Sequence, residues 1–191
     1  MRYLCGMAAT ETILIPLGFH APDFSLYDVV SRETRSLADL RGKHATVFMF
    51  ICNHCPFVKH INAELVRLAN DYSPQGIAFI AISSNDVEKY PQDSPEQMAA
   101  LAEALAYPFP YLYDETQDIA RAYFAACTPD FSIFDANLRC VYRGQLDASR
   151  PSNQIAPSGS DIRAALDAIL QQKPIPEPQR PSIGCNIKWR N

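Results

Sequence analysis

Cys52 and Cys55, separated by Asn53 and His54 and followed by Pro56, are the residues of this 191-residue chain whose type and spacing offer chemistry. Cysteines three apart in the first turn of a helix lie on the same side, within the Cα separations a disulfide spans. A bond between them can open and close with little backbone movement. A helix N-terminus presents unpaired N–H groups and the positive end of the helix dipole, which favour a thiolate over a thiol. On these grounds Cys52 is expected to be the nucleophile, and Cys55 the thiol that resolves a mixed disulfide by attacking the Cys52 sulfur. His54 lowers the Cys52 pKa further if its ring is protonated or donates a hydrogen bond. The competing reading is half of a zinc site completed by His54 or His60. No second cysteine pair stands at a ligand-like spacing, so dithiol chemistry is preferred, with neither metal nor cofactor expected.

The elements that must hold this pair are legible around it. His44 to Ile51 is almost continuously apolar and rich in β-formers, as a strand buried on both faces requires. From Pro56 the period changes: Val58, Ile61, Leu65, Leu68 and Tyr72 form the stripe of an amphipathic helix that Pro74 and Gly76 end. Ile77 to Ile82 is a second buried strand, completing a right-handed βαβ unit. Ser94, Pro95 and Gln97 read as a capping box opening a helix with Met98, Leu101 and Leu105 inward. A strand near Phe109 to Tyr113 and a helical turn around Ile119 to Phe124 follow. Phe131 to Phe134 and Arg139 to Tyr142 then flank Asp135-Ala136-Asn137 as a hairpin. Asp161 to Leu170 is a last helix, and Pro174, Pro176, Pro178 and Pro181 impose an extended tail ending near Trp189.

The bulk properties narrow the function. One core of ordinary size is expected. The net charge of −4 and the absence of a Lys/Arg stripe argue against nucleic acid as a partner. No apolar run approaches the roughly 20 residues of a membrane span, and no secretory leader is evident, so a cytoplasmic location is expected. The remaining cysteines are scattered. Cys5 is given no role, and Cys140 reads as a small buried hydrophobe. Cys127 should lie close to the site yet pack rather than react, and Cys185 should help clamp the tail, with a resolving role as a weaker alternative. Arg143 and Arg150 are expected in solvent, with Arg150 a weak candidate for steadying a thiolate. Asp86 and Asp130 read as loop caps that could also relay protons.

Several ordered motifs give the chain a family resemblance. They are Ala21-Pro22-Asp23-Phe24, Cys52-Asn53-His54-Cys55-Pro56, Ser84-Asn85-Asp86, Cys127-Thr128-Pro129-Asp130, Leu146 to Pro151, and Ser182-Ile183-Gly184-Cys185 with Lys188-Trp189. From about Leu17 the chain resembles the thioredoxin-fold AhpC/TSA (redoxin) family, in its peroxiredoxin-like branch with a thioredoxin-style cysteine pair. The resemblance implies an α/β thioredoxin fold: a central mixed sheet flanked by helices. An N-terminal β extension over 1–16, a domain over 17–172 and a Pro-rich tail over 173–191 packing on it complete the expected organisation. It also implies that Thr128-Pro129 is a cis-proline turn facing the cysteines, with the Thr128 backbone offered to an extended substrate and Pro129 shaping the groove. The activity implied is exchange with a protein or small-molecule disulfide, recharged by an unidentified thiol reductant, in a chain that could act as a homodimer. Peroxidases of the family use Pro-x-x-x-Thr-x-x-Cys. Ala45 and Met49 stand at those places before Cys52, and Phe48 and Cys52 before Cys55, so peroxide reduction is the runner-up. Metal binding through the same cysteines ranks below it.

Overall fold

The computed structural model describes residues 9–13 and 15–190; Cys5 lies outside them. The strands are β1 (Ala9–Glu11), β2 (Ser25–Asp28), β3 (Glu33–Ser36), β4 (Ala45–Phe50), β5 (Ile77–Ser83), β6 (Tyr111–Tyr113), β7 (Cys127–Thr128), β8 (Asp130–Asp135), β9 (Cys140–Gly144) and β10 (Ile183–Asn186). The helices are α1 (Leu37–Leu40), α2 (Pro56–Tyr72), α3 (Pro95–Ala104), α4 (Asp118–Ala122) and α5 (Ser160–Leu170). Seven strands form one sheet in the order β3-β2-β6-β5-β4-β8-β9. It is mixed: β4 runs parallel to β5 and antiparallel to β8, and β5 is parallel to β6. This is the α/β thioredoxin fold.

The continuous apolar run of β4 is explained by two cores, one on each face of the sheet. Val47, Met49 and Ile51 pack on one face with Val58, Ile61, Leu65 and Leu68 of α2, Met98 of α3, and Ile162 and Leu166 of α5. Phe48 and Phe50 pack on the other with Leu37, Ala120 and Tyr123, where Cys140 also lies. The helical stripe of α2 is buried as its period predicts. Each such Leu or Ile contributes about 1.5–3 kcal/mol over leaving it exposed.

Turn chemistry fixes the hairpin that carries the chain away from the site. Asp135 Oδ1 accepts from Asn137 N and Arg139 N, and Leu138 takes the left-handed conformation (φ 58°), which joins β8 to β9 antiparallel. At α3 only the forward half of the expected capping box forms. Gln97 N donates to Ser94 Oγ at 3.4 Å, while Ser94 Oγ donates to the nearer Glu96. The inward pair on α3 is Met98 and Ala102 rather than Met98 with Leu101 and Leu105, which are half-buried.

The tail is more than an extended clamp. Its β10 pairs antiparallel with β1 on one side and β7 on the other, forming a second sheet, β1-β10-β7. Among the described residues no helix is long and apolar enough to cross a membrane.

Candidate active site

β4 ends one residue before Ile51, and the backbone then turns through Cys52 to Cys55 before α2 begins at Pro56. Both cysteines therefore precede the helix, with Cys55 as its N-cap. This corrects the expectation that Cys52 sits in the first turn: the helix dipole acts most directly on Cys55. What shapes the turn is Asp93, fully buried, whose Oδ1 accepts from Asn53 N (2.9 Å) and His54 N (3.2 Å). Asn53 is held at both ends, its Nδ2 donating to Gln92 O and its Oδ1 accepting from Tyr111 OH. His54 Nδ1 and Asp93 Oδ2 are 2.6 Å apart, and Asn85 Nδ2 donates to the same oxygen. The His54 ring stacks on Tyr90 with centroids 5.4 Å apart.

This network changes the role expected of His54. Its Nδ1 lies 3.9 Å from Cys52 Sγ and 2.6 Å from Asp93 Oδ2, and one ring proton cannot serve both acceptors equally. The carboxylate takes it. Hydrogen bonding with Cys55, burial and the nearby Asp93 charge together push the Cys52 thiol well above the ordinary range, although the bond to Thr128 opposes this. Cys55 is the opposite case. The thiols of Cys185 and Cys52, as donors, hold it far below the usual thiol range.

A third sulfur completes the cluster. Cys185, on β10, has its Sγ 2.7 Å from Cys55 Sγ, and its thiol is pushed up by the hydrogen bond to Cys55 and by burial. No disulfide joins the five described cysteines. Thr128 touches both members of the pair: its hydroxyl lies 3.4 Å from Cys52 Sγ, and its carbonyl accepts from Cys55 Sγ at 3.0 Å. The Thr128-Pro129 peptide is cis, as the family resemblance implies. The Thr128 backbone is not open to a substrate, however. Cys185 pairs with Thr128, and Ile187 N donates to Ala126 O. Antiparallel pairing alternates, which makes Cys185 and Thr128 the next hydrogen-bonded pair and commits both Thr128 backbone groups to the chain's own tail. A Cβ on Gly184 would lie 2.1 Å from Thr128 O, so only glycine lets β10 approach this closely.

The tail also roofs the site. Lys188 N donates to Asn85 Oδ1 and Lys188 O accepts from Asp86 N and Gln117 Nε2, while Arg121 lies over the Trp189 ring. Cys52 is 1% exposed and Cys55 0%.

The other candidates are placed as follows. Cys127 is buried, its Sγ donating to Pro129 O, and burial with the Asp130 charge pushes its thiol up. Cys140 is buried and raised to about 11 by burial. Arg150 donates to Gln145 Oε1, Asp147 O and Ser149 O, bracing its own loop rather than a thiolate. Arg143 is not in solvent. It is buried, 3.5 Å from Asp130 Oδ2, and donates to Ile13 O and Phe124 O. Asp130 also accepts from Thr12 Oγ1 and Ala126 N, and Asp86 accepts from Glu88 N. His60 lines a small cavity with Pro129, Ser149 and Arg150. Sulfur, nitrogen and oxygen atoms of Cys52, His54 and Asp93 lie within 4.8 Å of one another and are the atoms that could ligate a metal. Asp93 is the residue sequence reasoning missed. It stands 39 positions from His54, in a segment whose local pattern signals only the start of α3.

The fold and the buried thiol cluster define a thioredoxin-fold thiol protein. The AhpC/TSA family profile matches residues 17–143, and the chain belongs to that family. The crystal structure of an uncharacterized conserved protein from Geobacillus kaustophilus is 63% identical, with TM-score 0.95 over 97% of this chain and 98% of that one. A hypothetical protein from Sinorhizobium meliloti 1021 is 45% identical, with TM-score 0.92 over 95% and 98%. A Mycobacterium tuberculosis protein provisionally named a peroxiredoxin is 27% identical over 116 residues, 61% of this chain and 68% of that protein. At 17% identity, a peroxidoxin of the same organism shares the fold, with TM-score 0.60 over 82% and 96%.

Proposed function

We propose that this chain is a thiol-disulfide oxidoreductase that exchanges a Cys52–Cys55 dithiol or disulfide with a protein or small-molecule disulfide. The observation that carries this reading is the placement of Cys52 and Cys55 between the start of α2 and the Thr128-Pro129 turn, with Thr128 in contact with both sulfurs. Cys52 gives up its proton to solvent. The Cys52 thiolate attacks one sulfur of the substrate, the substrate S–S bond breaks, and the departing thiolate takes a proton from solvent. Cys55, as its thiolate, then attacks Cys52 Sγ and releases the second substrate thiolate, which takes a proton from solvent. Two electrons pass from the pair to the substrate. Because both sulfurs are buried, a protein substrate is admitted only when the tail or the loop carrying Tyr90 moves aside.

One observation favours peroxide reduction as a second reading: the Thr128 hydroxyl beside Cys52 Sγ places a hydrogen-bonding group where an oxidant would sit, and peroxide is small enough for a closed site. Insulin reduction and peroxide consumption by the same preparations separate the two. Exchange predicts that Cys52→Ser abolishes insulin reduction, that Cys55→Ser accumulates a mixed disulfide on Cys52, and that stopped-flow peroxide consumption is slow. Equal trapping by both variants, or fast peroxide consumption without insulin reduction, would overturn it.

A further inference from the structure

We infer that Cys185 is a second resolving thiol, so that the disulfide formed at Cys52–Cys55 passes inward to Cys55–Cys185 and leaves Cys52 as a thiol. The inference rests on the exchange reading, and it starts from the 2.7 Å between the Cys55 and Cys185 sulfurs, against about 2.05 Å for the bond itself. Cys55 thus has a sulfur on either side: Cys52 next to His54, and Cys185 from the tail.

The placement of Cys185 is specified by the fold. Its ladder partner is Thr128, whose carbonyl bonds Cys55 Sγ, so one residue fixes both sulfurs. Gly184 is the neighbour that allows this approach, since any side chain there would meet the Thr128 backbone. On the far side β1 pairs with β10 at Ala9 opposite Cys185, so the strand is held along both edges. Packing alone would ask only for a small apolar residue at 185. It would not require the side chain to end on the sulfur of the resolving cysteine.

The step is an isomerisation and needs no outside oxidant. Cys185, deprotonated, attacks Cys55 Sγ. A Cys55–Cys185 bond forms, the Cys52–Cys55 bond breaks, and its electron pair leaves on Cys52 Sγ, which takes up the proton that Cys185 lost. The hydrogen bond with Cys55, the main cause of the raised Cys185 thiol, is lost in that form once Cys55 is bonded to Cys52. The consequence is an oxidised protein that still presents a thiol at the exchange position.

The test is a disulfide map after equilibration with oxidised glutathione, alkylation of remaining thiols and peptide mass analysis. Wild-type protein should contain both Cys52–Cys55 and Cys55–Cys185 linkages, and Cys185→Ala only the former. The variant that leaves the tail untouched is Cys52→Ser. It should lose the Cys55 and Cys185 thiols together into one internal bond, and Cys52→Ser with Cys185→Ala should carry glutathione on Cys55 instead. If Cys52→Ser keeps Cys185 alkylatable, with glutathione on Cys55 or a Cys55–Cys127 bond, the inference falls while the exchange reading stands. If wild-type protein forms Cys55–Cys185 but never Cys52–Cys55 and does not reduce insulin, the exchange reading falls, and the relay falls with it because there is no outer disulfide to receive.

Discussion

At the residue scale, Asp93 organises the turn that carries the two cysteines. It holds the backbone of Asn53 and His54, lies 2.6 Å from His54 Nδ1 through Oδ2, and adds a negative charge that makes ionisation of Cys52 harder. All three effects come from one buried carboxylate, so its replacement has a defined sign. Asp93→Asn removes the charge and leaves the His54 ring proton available to Cys52, and the Cys52 pKa should fall. Each unit corresponds to about 1.4 kcal/mol in favour of the thiolate. Thiolate absorbance against pH, read in a Cys55→Ser, Cys185→Ser background so that only the outer sulfur of the cluster reports, measures it. An unchanged or higher midpoint would show that Asp93 acts on the turn's shape alone.

At the scale of elements, the loop that follows β9 is tied to α5 by another carboxylate. Asp147 Oδ2 accepts from Ser158 N and Gly159 N, both at 2.7 Å, just where α5 begins, and Oδ1 accepts from Ser149 N. Gly159, the N-cap, has φ 66° and no side chain to cap the helix, so Asp147 supplies the missing acceptor from outside. Burial opposes ionisation of Asp147, but the bonds from Ser149, Ser158 and Gly159 outweigh it and lower the pKa. A lowered folded-state pKa means that this stabilisation is present above the ordinary carboxylate range and is lost as pH falls through it. Asp147→Asn should cost about 1–2 kcal/mol near neutral pH, read as a lower urea midpoint. The difference from wild type should shrink in acid below the carboxylate range; a constant difference would mean that shape rather than charge is at work.

Over the whole molecule, the distinguishing feature is that the two ends of the chain close over its chemistry. β10 lies between β1, which comes from the other end of the chain, and β7, and the segment after β10 is bonded to Asn85, Asp86 and Gln117. Gly184 is the tightest point of that closure. Gly184→Ala forces β10 away from Thr128, and overpacking of this kind costs about 1–3 kcal/mol. If the closure gates the cysteines, the variant should open locally and Cys52 should be alkylated about tenfold faster or more, while the seven-stranded sheet keeps its far-ultraviolet signature. Unchanged alkylation with lower global stability would show that β10 supports the fold without controlling access.

Local rules reach as far as their residues lie close in the chain. The spacing of Cys52 and Cys55, the period-3.6 stripe of α2, the unbroken apolar run of β4 and the Asp135 turn each concern residues within a few turns or one strand, and by itself the sequence determined these elements and the position of the cysteine pair. The family resemblance supplied the cis bond before Pro129, which spacing alone would have read as an ordinary turn. What only the tertiary structure decided are contacts across long separations: His54 with Asp93, Cys55 with Cys185, Thr128 with β10, and Arg143 with Asp130. The physical reason is that ionisation depends on which dipoles and charges arrive through space. Helix position by itself favoured a charge on Cys52. The two thiols around Cys55 lower its pKa, and the carboxylate beside Cys52 raises that of Cys52.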